Sequence, residues 1–508
     1  MGGWMSRKHR GVRRLRGVAA LIVAVSLSLA ACGDDAETVR FPADVAQTVD
    51  RIVETSIAAG LIPGATVSII DPQRGTYTHA YGVADIGTGR PADVHDRYRI
   101  GSITKTFTAT AVLRLADQGK LSLDDHLSRY VGGIPNGDII RLRDLLGMRG
   151  GVYNYAADPS YLGYAIGRPD GEVYDRESAL RVIRSHPEKA QPPDIRTVYS
   201  NSEYFLLGIV LEKATGRPLR DVLNSVAADL GLPDTEYPLG PALLPPASRG
   251  YAYQAGKPVD VTSFVGPEAV GAAGAMVSTV GDLGQYVLKL DRGDLLKPDT
   301  FRARSAFTPM DGSVYGLGLW KVGSWIGHNG AIPGYSSIAM AMPDRGVSVA
   351  VLVNQETLPM EPFSIRADNV FDRIADALYP GTLRPATPPA QSPPIPSPAD
   401  LTPRLQATLD PAANPATPPL PIEGTDADPA LPATIADAYR SQGISLRVDR
   451  TTDFGNGVMA ATTTLTTGND SVPMIIMLNA HNGTWTLSRG WACESLAAFS
   501  PQHSPACG

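Results

Sequence analysis

Sixteen of the chain's 43 prolines fall between Pro380 and Pro432, including the pairs Pro388-Pro389, Pro393-Pro394 and Pro418-Pro419. Proline fixes φ and removes a backbone donor, so a stretch this dense opposes both helix and ladder. Residues 380–432 therefore read as a semi-extended linker between a body at 41–379 and a tail at 433–508. A chain of 508 residues has room for roughly two or three folded units. Its 43% apolar content can bury a large core, and only three cysteines are present. A disordered chain and a disulfide-dense miniprotein are both excluded.

Charge is as unevenly spread as proline. Arg7, Lys8, Arg10, Arg13, Arg14 and Arg16 all precede the first acidic residue, Asp34, and an apolar run from Val18 to Ala31 is broken only by Ser26 and Ser28. A basic start, a short apolar middle and a small-residue exit describe an export signal. The run falls short of the ~20 residues a spanning helix needs. Its end, Leu29-Ala30-Ala31-Cys32, is similar to the lipobox of bacterial lipoproteins, in which the cysteine is acylated and becomes the mature N-terminus. Residues 1–31 are thus expected to be a lipoprotein signal peptide, Cys32 a lipid anchor and residues 32–40 a tether. A plain secretory signal is the alternative.

Removing 1–31 leaves 39 basic and 51 acidic residues, moving the formal charge from −6 to −12. The expectation is an acidic body held by lipid to the bacterial cell membrane, outside the cytoplasm, rather than by surface charge. Nothing in this balance supports nucleic-acid binding. In that compartment Cys493 and Cys507 either pair or remain as two buried thiols, and an oxidising space favours the pair.

The body opens with strands at Ala65–Ile70 and Tyr77–Val83 around the turn Asp71-Pro72-Gln73-Arg74-Gly75. Helical patterns follow at Thr104–Gln118, Glu203–Thr215 and Gly281–Lys289. Strands return at Ser336–Met342 and Val347–Val353 around Pro343-Asp344-Arg345-Gly346, and Ser364–Leu378 reads as helix. Strands at both ends with helices between them point to one antiparallel sheet built from the two chain ends, carrying an all-α insertion. In the tail, a helix near Thr434–Ser441 precedes a meander at Val458–Thr466, Val472–Leu478 and Thr484–Ser488. That makes it a small α+β domain.

Three short motifs carry chemistry. In Gly101-Ser102-Ile103-Thr104-Lys105, the stripe Ile103, Phe107, Ala111 and Leu115 places Ser102 in the first turn of a core helix. The i, i+3 spacing puts the Lys105 amine beside the Ser102 hydroxyl. A serine is a weak nucleophile without a base, and a lysine with a depressed pKa can be that base. A capping serine and a solvated lysine would look the same. Tyr199-Ser200-Asn201 combines a phenol able to move a proton with an amide able to hold another amide. As an alternative it is a helix-capping loop. Gly327-His328-Asn329-Gly330-Ala331 pairs a polar edge-strand residue with a glycine that permits close backbone approach. His481-Asn482-Gly483 repeats that triplet between two strands, where a hairpin turn is the better account.

Taken in order, Ser-x-x-Lys, Tyr-x-Asn and His-x-Gly lie about 95 and 130 residues apart in one domain. This resembles the serine β-lactamase and penicillin-binding family, in the branch of class C β-lactamases, D-alanyl-D-alanine carboxypeptidases, D-aminopeptidases and esterases. Tyr98-Arg99-Ile100, Asp144-Leu145-Leu146, the run from Ala273 to Thr279, Tyr315-Gly316-Leu317-Gly318 and Pro333-Gly334-Tyr335 are similar as well.

The resemblance implies an α+β, β-lactamase/transpeptidase-like fold. It also implies that Ser102 attacks a carbonyl while Lys105 and Tyr199 share the proton work, that Asn201 holds a substrate amide, and that a protonated His328 receives a carboxylate. Backbone N–H groups of Ser102 and Ala331 would form an oxyanion hole, with Gly330 giving close approach. One stretch departs from the family: Gly147-Met148-Arg149-Gly150-Gly151 stands where relatives often carry a His-Thr-Ser-Gly-like segment, which puts substrate preference in doubt.

No serine lies in Gly-x-Ser-x-Gly, so the nucleophile elbow of another hydrolase class is missing. The eight scattered histidines supply no metal-ligand spacing. The expected function is an acyl-enzyme hydrolase of D-amino-acid peptides or esters, with no cofactor or metal, and with peptidoglycan as a further partner. A β-lactamase, or a non-catalytic penicillin- or cell-wall-binding lipoprotein, is the alternative.

Overall fold

The structure, a computed structural model, describes residues 40–59, 62–167, 174–254, 257–310, 313–356, 366–383, 392–412, 415–455, 457–468, 470–500 and 504–507. The expected signal peptide and Cys32 lie outside the described residues.

Strand-forming runs from opposite ends of the body meet at its centre. β1 (Gly64–Asp71), β2 (Gly75–Asp85) and the short β3 (Arg90–Pro91) come first in the chain. Much later come β4 (Thr308–Met310), β5 (Ser313–Tyr315), β6 (Trp320–Val322), β7 (Trp325–Ile332), β8 (Tyr335–Met342) and β9 (Val347–Val353). They join in one antiparallel sheet ordered β3-β2-β1-β9-β8-β7-β6-β5-β4. The seam between the two chain ends is β1 against β9, where Val67 faces Val351.

Helices cover both faces, so β8 and β9 are buried along their whole length. Strand alternation divides their side chains between two cores. Met340, Val349 and Val351 pack with α1 (Ala43–Ala58), whereas Ala339, Ala350 and Leu352 pack with the inserted helices. Those include α2 (Thr104–Asp117), α3 (Asn201–Thr215) and α4 (Val280–Arg292). Back on the first face, α5 (Ala367–Leu378) joins α1, contributing Val370, Phe371 and Ile374.

The C-terminal unit corrects the expected linker. Pro398–Leu409 is a helix, α6, inside the proline-dense stretch. Ser397 caps it by accepting from the Asp400 N–H, and Pro398 occupies the first turn, where its missing donor costs nothing. Leu401, Leu405 and Leu409 recur at helical spacing and are buried, which outweighs the bond lost at the interior Pro403. Leu420 and Ile422 enter the same core, so the folded unit begins near Pro398 rather than at 433. Its other elements are α7 (Leu431–Ser441), β10 (Ile444–Gly455), β11 (Val458–Thr467), β12 (Asp470–His481), β13 (Thr484–Leu487) and α8 (Arg489–Phe499). The four strands pair antiparallel in sequence order. Asn482 and Gly483, both at positive φ, turn the β12–β13 hairpin. Cys493 and Cys507 form a disulfide.

This unit is docked on the body. Ala460 and Ile475 join the core formed with α1 and α5. The Arg373 guanidinium of α5 stacks 3.2 Å from the centre of the Phe454 ring and donates to Ser56 Oγ at 2.9 Å. Thr462 Oγ1 donates to the Ala59 carbonyl at 2.8 Å.

Candidate active site

The Ser102 backbone is placed by sterics. Gly101 sits at φ +48° and opens a short 3₁₀ turn, Gly101–Ile103, that leads into α2. Ser102 therefore precedes the α-helix by one turn rather than lying inside it. Strand β7 presses on this turn. A Cβ on Gly330 would lie 2.1 Å from the Ile100 carbonyl oxygen and 2.9 Å from Ser102 N, and one on Gly101 would lie 2.8 Å from Ala331 N. Gly330 thus serves close approach to the protein's own nucleophile turn, where the sequence suggested approach to a ligand. β6 pairs with β7 only as far as Gly327. Beyond that point β7 is an open edge, and alternate N–H groups project from it. Ala331 N faces the Ser102 turn from that edge.

Three elements converge on one hydroxyl. Lys105 Nζ lies 2.8 Å from Ser102 Oγ, and Tyr199 OH donates to the same oxygen at 2.7 Å. Tyr199 stands just before α3, and its ring centre is 4.9 Å from the Lys105 amine. Lys105 also donates to Asn201 Oδ1 and to the Ala273 carbonyl, both at 2.8 Å. Burial pushes its pKa well down from the usual lysine value. A neutral amine has two N–H bonds and one lone pair. The Asn201 and Ala273 oxygens use the two donors, which leaves the lone pair for the Ser102 proton. Burial also raises the Tyr199 phenol, so it stays protonated and donates.

His328 requires a correction. It is buried, its Nδ1 lies 2.6 Å from the Asn329 carbonyl and its Nε2 lies 3.1 Å from Tyr315 OH. The carbonyl can only accept, so Nδ1 carries the proton and Nε2 accepts from the phenol. Burial brings its pKa down to about 3. The ring is neutral with both nitrogens engaged, so the protonation on which the sequence reading made carboxylate binding depend is absent.

One site residue, Asn154, escaped the sequence reading, and Tyr315 and Asn329 entered it only as members of motifs, with no role. Asn154 Oδ1 accepts from Asn201 N at 3.1 Å and so braces the start of α3. Tyr315 OH donates to His328 Nε2 at 3.1 Å and so engages its second nitrogen. Asn329 Nδ2 donates to the half-buried Asp368 at 2.9 Å, tying β7 to α5. Asn154 has no local signal, because it acts across a long loop closure. The divergent segment at 147–151 lies over Glu203, whose carboxyl is buried beneath the Gly150–Val152 backbone and raised by that burial. Among the described residues no cluster of His, Cys, Asp and Glu could hold a metal ion. The Ser102 cleft has a volume of about 790 Å³.

An α+β body with helices on both faces of its sheet, and with one buried lysine and one phenol on a serine hydroxyl, defines a serine hydrolase of the β-lactamase and D-alanyl-D-alanine carboxypeptidase type. Residues 49–370 match the Beta-lactamase family model. The chain belongs to that family. Residues 394–503 match a second model, the C-terminal domain of low molecular weight antigen MTB12, consistent with a folded unit that begins inside the proline-dense stretch.

Penicillin-binding protein 4* of Bacillus subtilis is 25% identical over 55% of this chain and 65% of its own length. A putative D-alanyl-D-alanine carboxypeptidase of Escherichia coli O157:H7 is 31% identical over 42% of this chain and 54% of its own. The chain thus spans less than two thirds of the length of these curated relatives. Among solved structures, a D-stereospecific amidohydrolase from Streptomyces sp. aligns at TM-score 0.57 and 30% identity over 66% of this chain and 99% of its own. D-amino acid amidase from Ochrobactrum anthropi SV3, complexed with L-phenylalanine amide, aligns at 0.58 and 25% over 66% and 98%.

Proposed function

We propose that this chain is an extracytoplasmic, lipid-anchored hydrolase that cleaves amide or ester bonds of D-amino-acid substrates through an acyl-enzyme at Ser102. The observation that carries the reading is the simultaneous contact of Lys105 Nζ and Tyr199 OH with Ser102 Oγ. Neutral Lys105 takes the hydroxyl proton as Oγ bonds to the substrate carbonyl carbon. The oxyanion sits against the N–H groups of Ser102 and Ala331, each such donor being worth roughly 3 kcal/mol to the transition state. The new ammonium is shared among Asn201, Ala273 and Oγ, and Tyr199 relays a proton to the leaving amine or alkoxide. Water then repeats the sequence in reverse and frees the acid.

The names of the related amidases and of the carboxypeptidase support D-amino-acid amides and peptides as substrates, with peptidoglycan peptides as the polymeric form. The basic, apolar and Ala-Ala-Cys32 succession supports export and lipid attachment. Labelling with fluorescent penicillin and with a fluorophosphonate, using Ser102→Ala as control, tests the chemistry. A Ser102-dependent adduct and ester or amide turnover are expected, and absence of both defeats the reading. Incorporation of radiolabelled palmitate that is lost in Cys32→Ser tests the anchor.

A further inference from the structure

We propose that the cleft selects substrates without a carboxylate beside the scissile carbonyl, taking end-blocked amides and esters that carry a bulky apolar group; this rests on the acyl-enzyme reading above. Among the described residues that line the cleft there is no Asp, Glu, Lys or Arg. Its one imidazole, His328, is neutral, with its two nitrogens engaged by Asn329 O and Tyr315 OH. The Lys105 amine already faces three oxygens, those of Ser102, Asn201 and Ala273.

The nearby Arg304, which is buried, and Arg366, which is half-buried, both have partners. Arg304 donates to Thr110 Oγ1 and to the carbonyls of Thr106 and Gly318, and Arg366 pairs with Glu356 at 3.0 Å. A carboxylate entering this cleft would shed water and meet no compensating charge. The walls offer apolar contact instead, from Tyr161, Leu162, Val270, Met310, Trp320 and Ile332. The cleft's volume suits an aromatic or branched side chain together with a blocked end.

Two matched pairs test this on the full chain: benzoyl-D-Phe-D-Ala against its C-terminal amide, and benzoyl-D-Phe-D-lactic acid against its amide. Within each pair the bond cut is the same and only the terminal charge differs. The blocked member should show kcat/KM about 100-fold higher. In Met310→Lys, which adds a cation to the wall, that gap should narrow through a faster free acid. Equal or faster cleavage of the free acids overturns the inference, and so does a gap that Met310→Lys leaves unchanged. If a fluorophosphonate labels Ser102 but neither pair is cut, the substrate class is wrong and the acyl-enzyme chemistry stands. If Ser102 is not labelled either, both readings fall together.

Discussion

Asn201 Oδ1 is bound to Lys105 Nζ at 2.8 Å, so the residue expected to hold the substrate first holds the base. Its other side-chain atom, Nδ2, has no partner among the described residues and remains to bind a substrate carbonyl. One side chain therefore links the proton acceptor to substrate binding, and Asn154 in turn braces its backbone.

Replacing the base separates chemistry from folding. Lys105→Met should lower kcat/KM by about 10²–10⁴, and Tyr199→Phe should lower it less. Asn201→Ala should depress kcat as well as raise KM, because it frees the lysine. Steady-state kinetics beside a thermal melt distinguishes these outcomes from unfolding.

The pH profile follows from the same burial. Lys105 must be neutral to act, and its pKa is lowered, so activity should rise with pH along a limb far below the usual lysine range. Tyr199 is raised, so the alkaline limb should lie above the usual tyrosine range. His328 titrates at about 3 and contributes no limb near 6.5. A limb near 6.5 that disappears in His328→Gln would contradict this.

Two buried groups tilt stability in opposite directions. The folded His328 pKa of about 3 lies below the unfolded value of about 6.5. Between those values the unfolded chain binds the extra proton, so stability is lost as pH falls from 6.5 toward 3. Burial raises Glu356 to about 7, above the unfolded value of about 4.3. Its contribution is full below that value and is lost as pH rises toward 7. Melting curves should show His328→Gln flattening the acid side and Glu356→Gln flattening the slope above pH 4.3.

Gly330→Ala should damage catalysis through the backbone. Its Cβ would fall 2.1 Å from the Ile100 carbonyl oxygen and 2.9 Å from Ser102 N. The strand and the nucleophile turn must therefore separate, at a cost of about 1–3 kcal/mol. A variant that keeps its melting temperature and full acylation rate would refute this contact.

Docking of the C-terminal unit rests on Arg373 against Phe454 and on Ala460 and Ile475 in the body's core. Phe454→Leu should remove about 0.5–2 kcal/mol while leaving acylation of Ser102 unchanged. Chemical denaturation read alongside probe labelling checks both halves.

The helices and strands that were legible in the chain have strong local periodicity. The stripe Ile103, Phe107, Ala111 and Leu115 places α2, and the runs Ser336–Met342 and Val347–Val353 place β8 and β9. The proline-dense stretch misled because composition was weighed before burial. At α6 the cap at Ser397 and three buried leucines decide the matter against Pro403. β10 was missed although Ile444, Leu446 and Val448 alternate with polar residues, because the alternation lasts only to the register shift after Val448 and most of the rest of the strand is polar.

The order of motifs was enough, by itself, to indicate a serine nucleophile, its lysine and its tyrosine, since short segments carry both residue type and spacing. Only the tertiary structure could decide the charge state of the site. Proton affinities depend on burial and on neighbours brought together across long loops, and those make His328, whose protonation the sequence left open, a neutral, fully bonded ring. The same closure put β7 against the Gly101–Ile103 turn, a contact of backbone with backbone that no local pattern of side chains encodes.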